Sequence, residues 1–414
     1  MSGLNAVRGT RDLLPADARR HRHVVETARS LAERYGYLEV HTPILELSEV
    51  FHRTLGETSD VVTKEMYTFV DKGGDSVTLR PEATAGLARA LITGGLTQDL
   101  PLKVFTHGPM FRYERPQKGR LRQFHQIDVE LLGVSEPQGD VEVIALGAHV
   151  LEELGVLGAT VLELNTLGDR ESREAYRGAL VAYLAGHRAD LSEDSLARLA
   201  RNPLRILDSK DEGDRNIVAG APLFSDYLNA VSRDFFAAVT EGLKALGIAC
   251  NLNARLVRGL DYYCHTAFEF TTTALGSQGT VLAGGRYDGL VETMGGPRVA
   301  GIGWAAGIER LAMLLAGPPA ALRPVALVPI GADAERAATG LAARLRRAGF
   351  AVELGYKGKP AQRMKRADKL GAAVAVLIGE DELKAGTATV RDLDTGVQET
   401  VALAVLDQRL ARYR

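Results

Sequence analysis

The sequence predicts an α+β body, interrupted by a helical insertion and followed by a separate small α/β module. Three observations carry that prediction. Residues 102 to 132, LKVFTHGPMFRYERPQKGRLRQFHQIDVELL, are two apolar-alternating runs around a loop crowded with cations, the pattern of a long antiparallel hairpin. Residues 170 to 246 hold charged amphipathic helical segments and no convincing strand run. Beyond the proline- and glycine-rich stretch GPPAALRP (317 to 324), strand and helix patterns alternate in the βαβ manner.

Whole-chain properties narrow the function classes. At 414 residues the chain exceeds a single compact core, and its 46% hydrophobic and 25% charged content is ordinary for globular proteins. The N-terminus has cations without an apolar signal region, and no apolar run reaches membrane-spanning length. The expectation is a soluble cytoplasmic protein with no membrane partner. Cys250 and Cys264 form no CxxC pair, so neither structural zinc nor a disulfide framework is supported. From Pro324 onward 15 Lys and Arg face 11 Asp and Glu, which leaves a mildly basic tail on an acidic body. Such asymmetry is compatible with nucleic-acid contact and also with ordinary surface variation.

In chain order, residues 17 to 35 read as an amphipathic helix with Val24, Val25, Ala28, Leu31 and Ala32 on one stripe. YLEVHTPILE (37 to 46) reads as extended, with Pro43 restricting its centre to an edge or interface. MYTFV, a Gly-Gly turn and SVTLRPEATAGLARALI (76 to 92) read as strand, turn, strand and helix. Glu82 and Thr84 stand beside that helix start, where capping is the plain structural role. VEVIALGAHVLEELG (141 to 155) is helical by spacing, ATVLELNTLGD (159 to 169) reads as a strand, and roughly 168 to 225 as the insertion. Strand character returns over 253 to 273, then a glycine-rich stretch at 282 to 296. AGIGWAAGIERLAMLL (300 to 315) runs from strand into a helix with Arg310 off its buried stripe.

The second arm of the hairpin is unusual. Phe124, Gln126, Asp128 and Glu130 fall on one face at period two, and His125, Ile127, Val129 and Leu131 on the other. A face made of an aromatic, an amide and two acids reads as a binding floor. The loop's Arg112, Arg115, Lys118, Arg120 and Arg122 suit a polyanion, because the guanidinium fork pairs with phosphate oxygens and keeps its charge. A solvated turn is the plainer alternative.

Several separate segments then resemble one family. GPMFRYERPQKGRLRQFHQIDVE (108 to 130) resembles class II motif 2 in its histidine-specific form, and GIGWAAGIERL (301 to 311) resembles motif 3. LVRGLDYY (256 to 263) and AGGRYDG (283 to 289) resemble the two signatures peculiar to histidine enzymes, while YLEVHTPILE is similar to motif 1. Together they make the chain resemble the histidyl-tRNA synthetases, class II aminoacyl-tRNA synthetases, along essentially its whole length.

The resemblance implies an α+β class II synthetase catalytic domain on a mostly antiparallel sheet (1 to 322, with the helical insertion) and a C-terminal α/β anticodon-binding domain (323 to 414). It implies a homodimer with motif 1 at the interface, substrates L-histidine, ATP and tRNA(His), and Mg²⁺ entering with ATP rather than a protein metal site. It places Arg112 on the α-phosphate, Arg310 towards the γ-phosphate, Phe124 on adenine, and Glu114 and Arg120 nearby. Arg258 stands where the family carries a catalytic arginine, close to the reacting carboxylate, with Arg112 sharing that work. Glu130 and Tyr263 would hold the imidazole, Glu82, Thr84 and Gln126 the α-amino end, and Tyr262 would line the pocket. Arg115 and Gln117 are candidates for the extra 5′ nucleotide of the tRNA, and the basic run 357 to 369 for phosphate contacts.

The family usually shows a small or polar pair before threonine after RGLDYY, where this chain has Cys264 and His265. Strand alternation allows at most one of them to face the pocket. Arg286 to Asp288 are expected to contribute to it. Two alternatives stay open on the sequence: a non-catalytic relative that regulates histidine biosynthesis, and a class II synthetase for another amino acid.

Overall fold

The computed structural model describes residues 4 to 414 apart from 57, 58, 60, 210, 258 to 261, 277 and 278. Within it the chain divides into two compact units, Met1–Pro319 and Ala320–Arg414.

The first unit is built on an eight-stranded sheet. Its order is Leu38–Glu39, Leu102–Phe111, Gln123–Leu132, Gly301–Gly307, Thr280–Arg286, Cys264–Thr271, Val161–Thr166 and Asn251–Leu252. The six central strands pair antiparallel, and only the two short edge strands are parallel to their neighbours. The hairpin runs in unbroken register from Leu102 opposite Leu132 to Phe111 opposite Gln123.

Period-two alternation along Gln123–Leu132 sorts its side chains as the sequence demands. Ile127, Val129 and Leu131 enter the main core, where they meet Val24, Ala28 and Leu31 of the helix Pro15–Arg34 and Val143, Ile144 and Leu151 of the helix Pro137–Glu153. Both helices carry proline in the first turn, where no intrahelical donor is lost. The opposite face of the strand is left for the site.

YLEVHTPILE is split at Pro43. Leu38–Glu39 joins the main sheet, while Leu45–Leu47 joins Ser76–Leu79 and Tyr67–Val70 in a small antiparallel sheet. A residue without an amide donor is suited to that gap between two sheets.

Between the sheet strands, the helices Arg170–Gly186, Glu193–Arg201 and Glu212–Ala219 close their own core around Tyr176, Leu180, Leu184, Ile206 and Phe224. Each begins at a side-chain cap, Asp169, Ser192 or Asp211, that accepts a first-turn amide. The next helix, Ala230–Ala245, sends Val239 and Leu243 back into the main core.

The second unit is a five-stranded sheet ordered Val352–Leu354, Val325–Pro329, Val374–Ile378, Thr387–Asp392 and Gln398–Ala402. The first three strands are parallel, with the helices Ala332–Arg347 and Pro360–Lys369 as crossovers. The chain then ends its sheet with two antiparallel strands where the sequence pattern shows only one. The basic run is partly consumed by the fold: Arg363 is buried and bonded to the Pro329 carbonyl and Glu335, and Arg366 pairs with Glu353 at 2.6 Å. Lys357, Lys359, Lys365 and Lys369 remain exposed.

Candidate functional site

The polar face of Gln123–Leu132 is the floor of a cavity of about 290 Å³. Phe124, Gln126, Asp128 and Glu130 line it from that strand, Glu82 and Thr84 from the start of the helix Thr84–Thr93, and Tyr262 and Tyr263 from the approach to Cys264–Thr271. Arg112, Glu114 and Arg120 enter from the hairpin loop and Arg310 from the helix Ile308–Leu314. Twelve of the residues named as candidates from the sequence therefore surround one space. Arg115 and Gln117 lie outside its lining, exposed on the hairpin loop, where Gln117 and Arg120 close a turn with paired backbone bonds. Arg258 lies outside the described residues.

One end of the cavity is acidic. The Thr84 hydroxyl donates to Glu130 Oε1 at 2.6 Å, and the Tyr287 phenol donates to Glu130 Oε2. Glu82 Oε1 accepts from the Ala85 amide at 2.8 Å and Oε2 from the Tyr262 phenol at 3.2 Å. Glu82 thus caps its helix with one oxygen and faces the cavity wall with the other. Burial raises the Glu82 and Asp128 carboxyls and pushes Glu130 up to about 8, with the neighbouring carboxylates adding to the shift in Asp128 and Glu130.

The other end is cationic. Arg112 Nε donates to the Pro81 carbonyl at 2.9 Å, and its guanidinium stands 5.4 Å from the Phe124 ring centroid. Arg310 donates to the carbonyls of Gly119 at 3.0 Å and Thr280 at 2.6 Å. Glu114 is ion-paired with Arg120. These anchors hold three guanidiniums around one volume at fixed directions, an arrangement suited to a polyphosphate.

Glycines give the floor its depth. Gly303 lies opposite Glu130 in the sheet, and a Cβ there would overlap the Glu130 carboxylate. A Cβ on Gly285 would stand 2.8 Å from the Tyr263 ring. On the far face, Glu309 accepts from the His125 amide at 2.9 Å and from Nδ1 at 2.8 Å, which ties the hairpin to the helix carrying Arg310.

The expectation that Arg286 to Asp288 together contribute to the pocket changes. Arg286 does not enter the cavity: it is fully buried against Asp140, with Nε 3.1 Å from Oδ2, and also bonds Asp288 and the Val134 carbonyl. Asp288 accepts from the Gly301 amide at 3.1 Å. Of the three, Tyr287 alone lines the cavity, just past the end of the strand Thr280–Arg286, with its amide bonded to the Gly301 carbonyl at 2.7 Å. Neither Cys264 nor His265 lines the cavity: the Cys264 sulfur accepts from the Asp288 amide at 3.5 Å, and the His265 ring lies against Phe235 at 4.7 Å. His265 has a left-handed backbone, φ 43°, which breaks the alternation expected there. Asp128 was visible on the floor by spacing, but the resemblance assigns it no task.

Comparison with known proteins points to one family. A family model described as "Histidyl-tRNA synthetase" matches residues 9 to 311, and one described as "Anticodon binding domain" matches 324 to 412. A curated "Histidine--tRNA ligase" of Rhodospirillum rubrum is 63% identical over 100% of both chains. That of Gluconacetobacter diazotrophicus is 57% identical over 99% of each. Among solved structures, apo histidyl-tRNA synthetase of S. aureus superposes with a TM-score of 0.83 at 35% identity, covering 98% of this chain and 99% of that one. No described helix is long and apolar enough to cross a membrane.

Proposed function

The chain belongs to the histidyl-tRNA synthetase family, enzymes that use ATP to join histidine to tRNA, and from that premise we propose how its cavity divides the work. The histidine carboxylate attacks the α-phosphorus of ATP, forming histidyl-adenylate and releasing pyrophosphate. The terminal ribose hydroxyl of tRNA(His) then takes the acyl group and releases AMP. Positioning and charge neutralisation dominate such chemistry.

The observation that carries the division is the polarity of the cavity. Its cationic end suits the triphosphate, with Arg112 on the α-phosphate, Arg310 on the γ-phosphate, Glu114 and Arg120 beside them, and Phe124 stacked on adenine. Its acidic end suits a small amino acid that carries an ammonium and an imidazole. Glu130 and Tyr263 face the ring, Glu82, Thr84 and Gln126 the amino end, and Tyr262 closes the wall. Arg258 would stabilise charge at the reacting carboxylate. A site that hydrogen-bonds its substrate's polar atoms rejects analogues lacking them by roughly 10⁴ to 10⁵.

Mg²⁺ would come with the nucleotide. The carboxylates Glu114 and Glu269 line the same cavity and offer the oxygen ligands this ion prefers. Bound there, it would offset phosphate charge.

The same reading extends beyond the cavity. Arg115 and Gln117, exposed at the loop, would meet the 5′ end of the tRNA. We place the division between catalytic and anticodon-binding domains near residue 322, with the insertion over 168 to 225. A homodimer is supported by Leu38, Leu45, Leu47, Phe69 and Val70, apolar side chains exposed on edge strands. The cytoplasm, where translation consumes the product, is the compartment this reading implies. Agreement with ligases along the whole chain, anticodon module included, favours the enzyme over the non-catalytic regulator.

The deciding experiment is exchange of labelled pyrophosphate into ATP without tRNA, amino acid by amino acid. Exchange with histidine alone is the expected result. No exchange with any amino acid from folded protein would overturn the reading.

A further inference from the structure

Three carboxylates are buried side by side at the acidic end, and the protein treats them unequally. Glu82 receives hydrogen bonds from the Ala85 amide and the Tyr262 phenol, and Glu130 from the hydroxyls of Thr84 and Tyr287. Asp128, between them on the floor and only 1% exposed, has a buried Oδ2 without a hydrogen-bond partner among the described residues. Gln126, two residues along the same face, has a buried Oε1 in the same condition. Thr106 lies opposite Asp128 in register, and its hydroxyl also lacks a partner.

The nearest cations, Arg80 and Arg112, act on Asp128 through their charge while directing hydrogen bonds elsewhere. Arg80 donates through Nε to the Pro109 carbonyl and through Nη1 to Thr42, and Arg112 donates to Pro81. A carboxylate oxygen without a hydrogen bond this deep is expensive, and it persists where a ligand completes it. Two adjacent acceptors on one strand face call for a ligand with several N–H donors and positive charge. An ammonium group has three such donors.

We propose that Asp128 is a binding residue for the substrate's α-ammonium group, acting with Gln126 as a pair of acceptors that the protein leaves open for it. This rests on the reading of the acidic end as the histidine site. Asp128 thereby makes binding depend on the amino group, a recognition separate from that of the imidazole by Glu130. The floor recognises a free amino acid, as distinct from an imidazole acid.

The test is a cycle between a protein change and a ligand change on the full-length chain. Dissociation constants are measured by calorimetry for L-histidine and for 3-(imidazol-4-yl)propionate, which lacks the amino group, with wild type and with Asp128→Asn. The variant is expected to lose roughly 10- to 100-fold affinity for histidine, the range for a hydrogen bond to a charged group. Its affinity for the deamino compound should be unchanged. Thermal melting without ligand should show the variant at or above wild type, because a deeply desolvated carboxyl has been replaced by a neutral amide of the same shape. Equal losses for both ligands, no loss for either, or a lower melting temperature would each overturn the proposal. Wild-type protein that shows no histidine-dependent pyrophosphate exchange would instead overturn the reading of the site itself.

Discussion

The hydroxyl of Thr84 donates to Glu130 across 2.6 Å, joining the first residue of a helix to a strand residue 46 positions later. Glu130 also accepts from Tyr287, so both of its oxygens are held before any substrate arrives. Pre-orientation of this kind keeps a buried carboxyl in place while burial raises it to about 8, well above the ordinary value of 4.5.

That shift has a direction in stability. In the unfolded chain Glu130 ionises near its ordinary value; in the native state it keeps its proton to about 8. Between those values unfolding releases a proton, so this group's contribution is full at acid pH and declines as pH rises through the window. Glu130→Gln removes the decline, and hydroxyl partners can reverse to suit an amide. The variant should gain roughly 1 to 3 kcal/mol over wild type by pH 8 while losing histidine activation. Denaturant titrations at pH 5 and pH 8 check it; a difference that does not grow with pH would count against the assignment.

At the cationic end, Phe124→Ala should raise the KM for ATP roughly 5- to 100-fold, the range for losing a base-stacking aromatic. Histidine binding measured without ATP should stay the same. A parallel loss of histidine affinity would mean that Phe124 supports the whole floor.

Arg258→Ala tests a residue assigned by resemblance alone. The rate of adenylate formation should fall ~10² to 10³, the cost of removing one preorganised donor to a developing charge, with a much smaller change in histidine affinity. Single-turnover kinetics beside equilibrium binding separates the two. Equal losses would reduce Arg258 to substrate binding.

Arg286 and Asp140 make a different prediction, about the fold. Both side chains are fully buried, and Arg286 also pairs with Asp288 at 3.1 Å, so removing Arg286 strands the Asp140 carboxylate while removing Asp140 leaves the guanidinium one acidic partner. Arg286→Ala should cost about 3 to 5 kcal/mol in chemical denaturation and Asp140→Ala less. Converting both to apolar residues of similar volume should recover much of the loss. Loss of activity at undiminished stability would return Arg286 to the site.

Removing residues 324 to 414 should leave pyrophosphate exchange partly intact and abolish tRNA charging, since each unit has its own hydrophobic core. The oligomeric state of the truncated chain must be measured alongside. Undiminished charging would remove the anticodon-binding role.

Much of this molecule is local and could be read from residue order. The alternation from Gln123 to Leu132 assigns a core face and a floor because side chains on a strand must alternate, whatever packs above them. The edge position of the segment around Pro43 and the helical runs of the insertion were equally legible, whereas the split of that segment between two sheets was not. Other features were not. The sequence shows Arg286, Tyr287 and Asp288 as one signature, yet only the pairing of Thr280–Arg286 with its neighbours turns Tyr287 towards Glu130 and buries Arg286 against Asp140. His265 escaped the alternation rule through a backbone conformation that no spacing announces.

By itself the sequence determined the hairpin, the polar floor, the order of helical and α/β segments and, through its motifs, the family. Only the tertiary structure decided which carboxylates are satisfied and which is left open, which arginines serve the fold and which face the cavity. The reason is physical. Face and period are set by covalent geometry over a few residues, whereas hydrogen-bond partnership and burial depend on atoms brought together from distant parts of the chain.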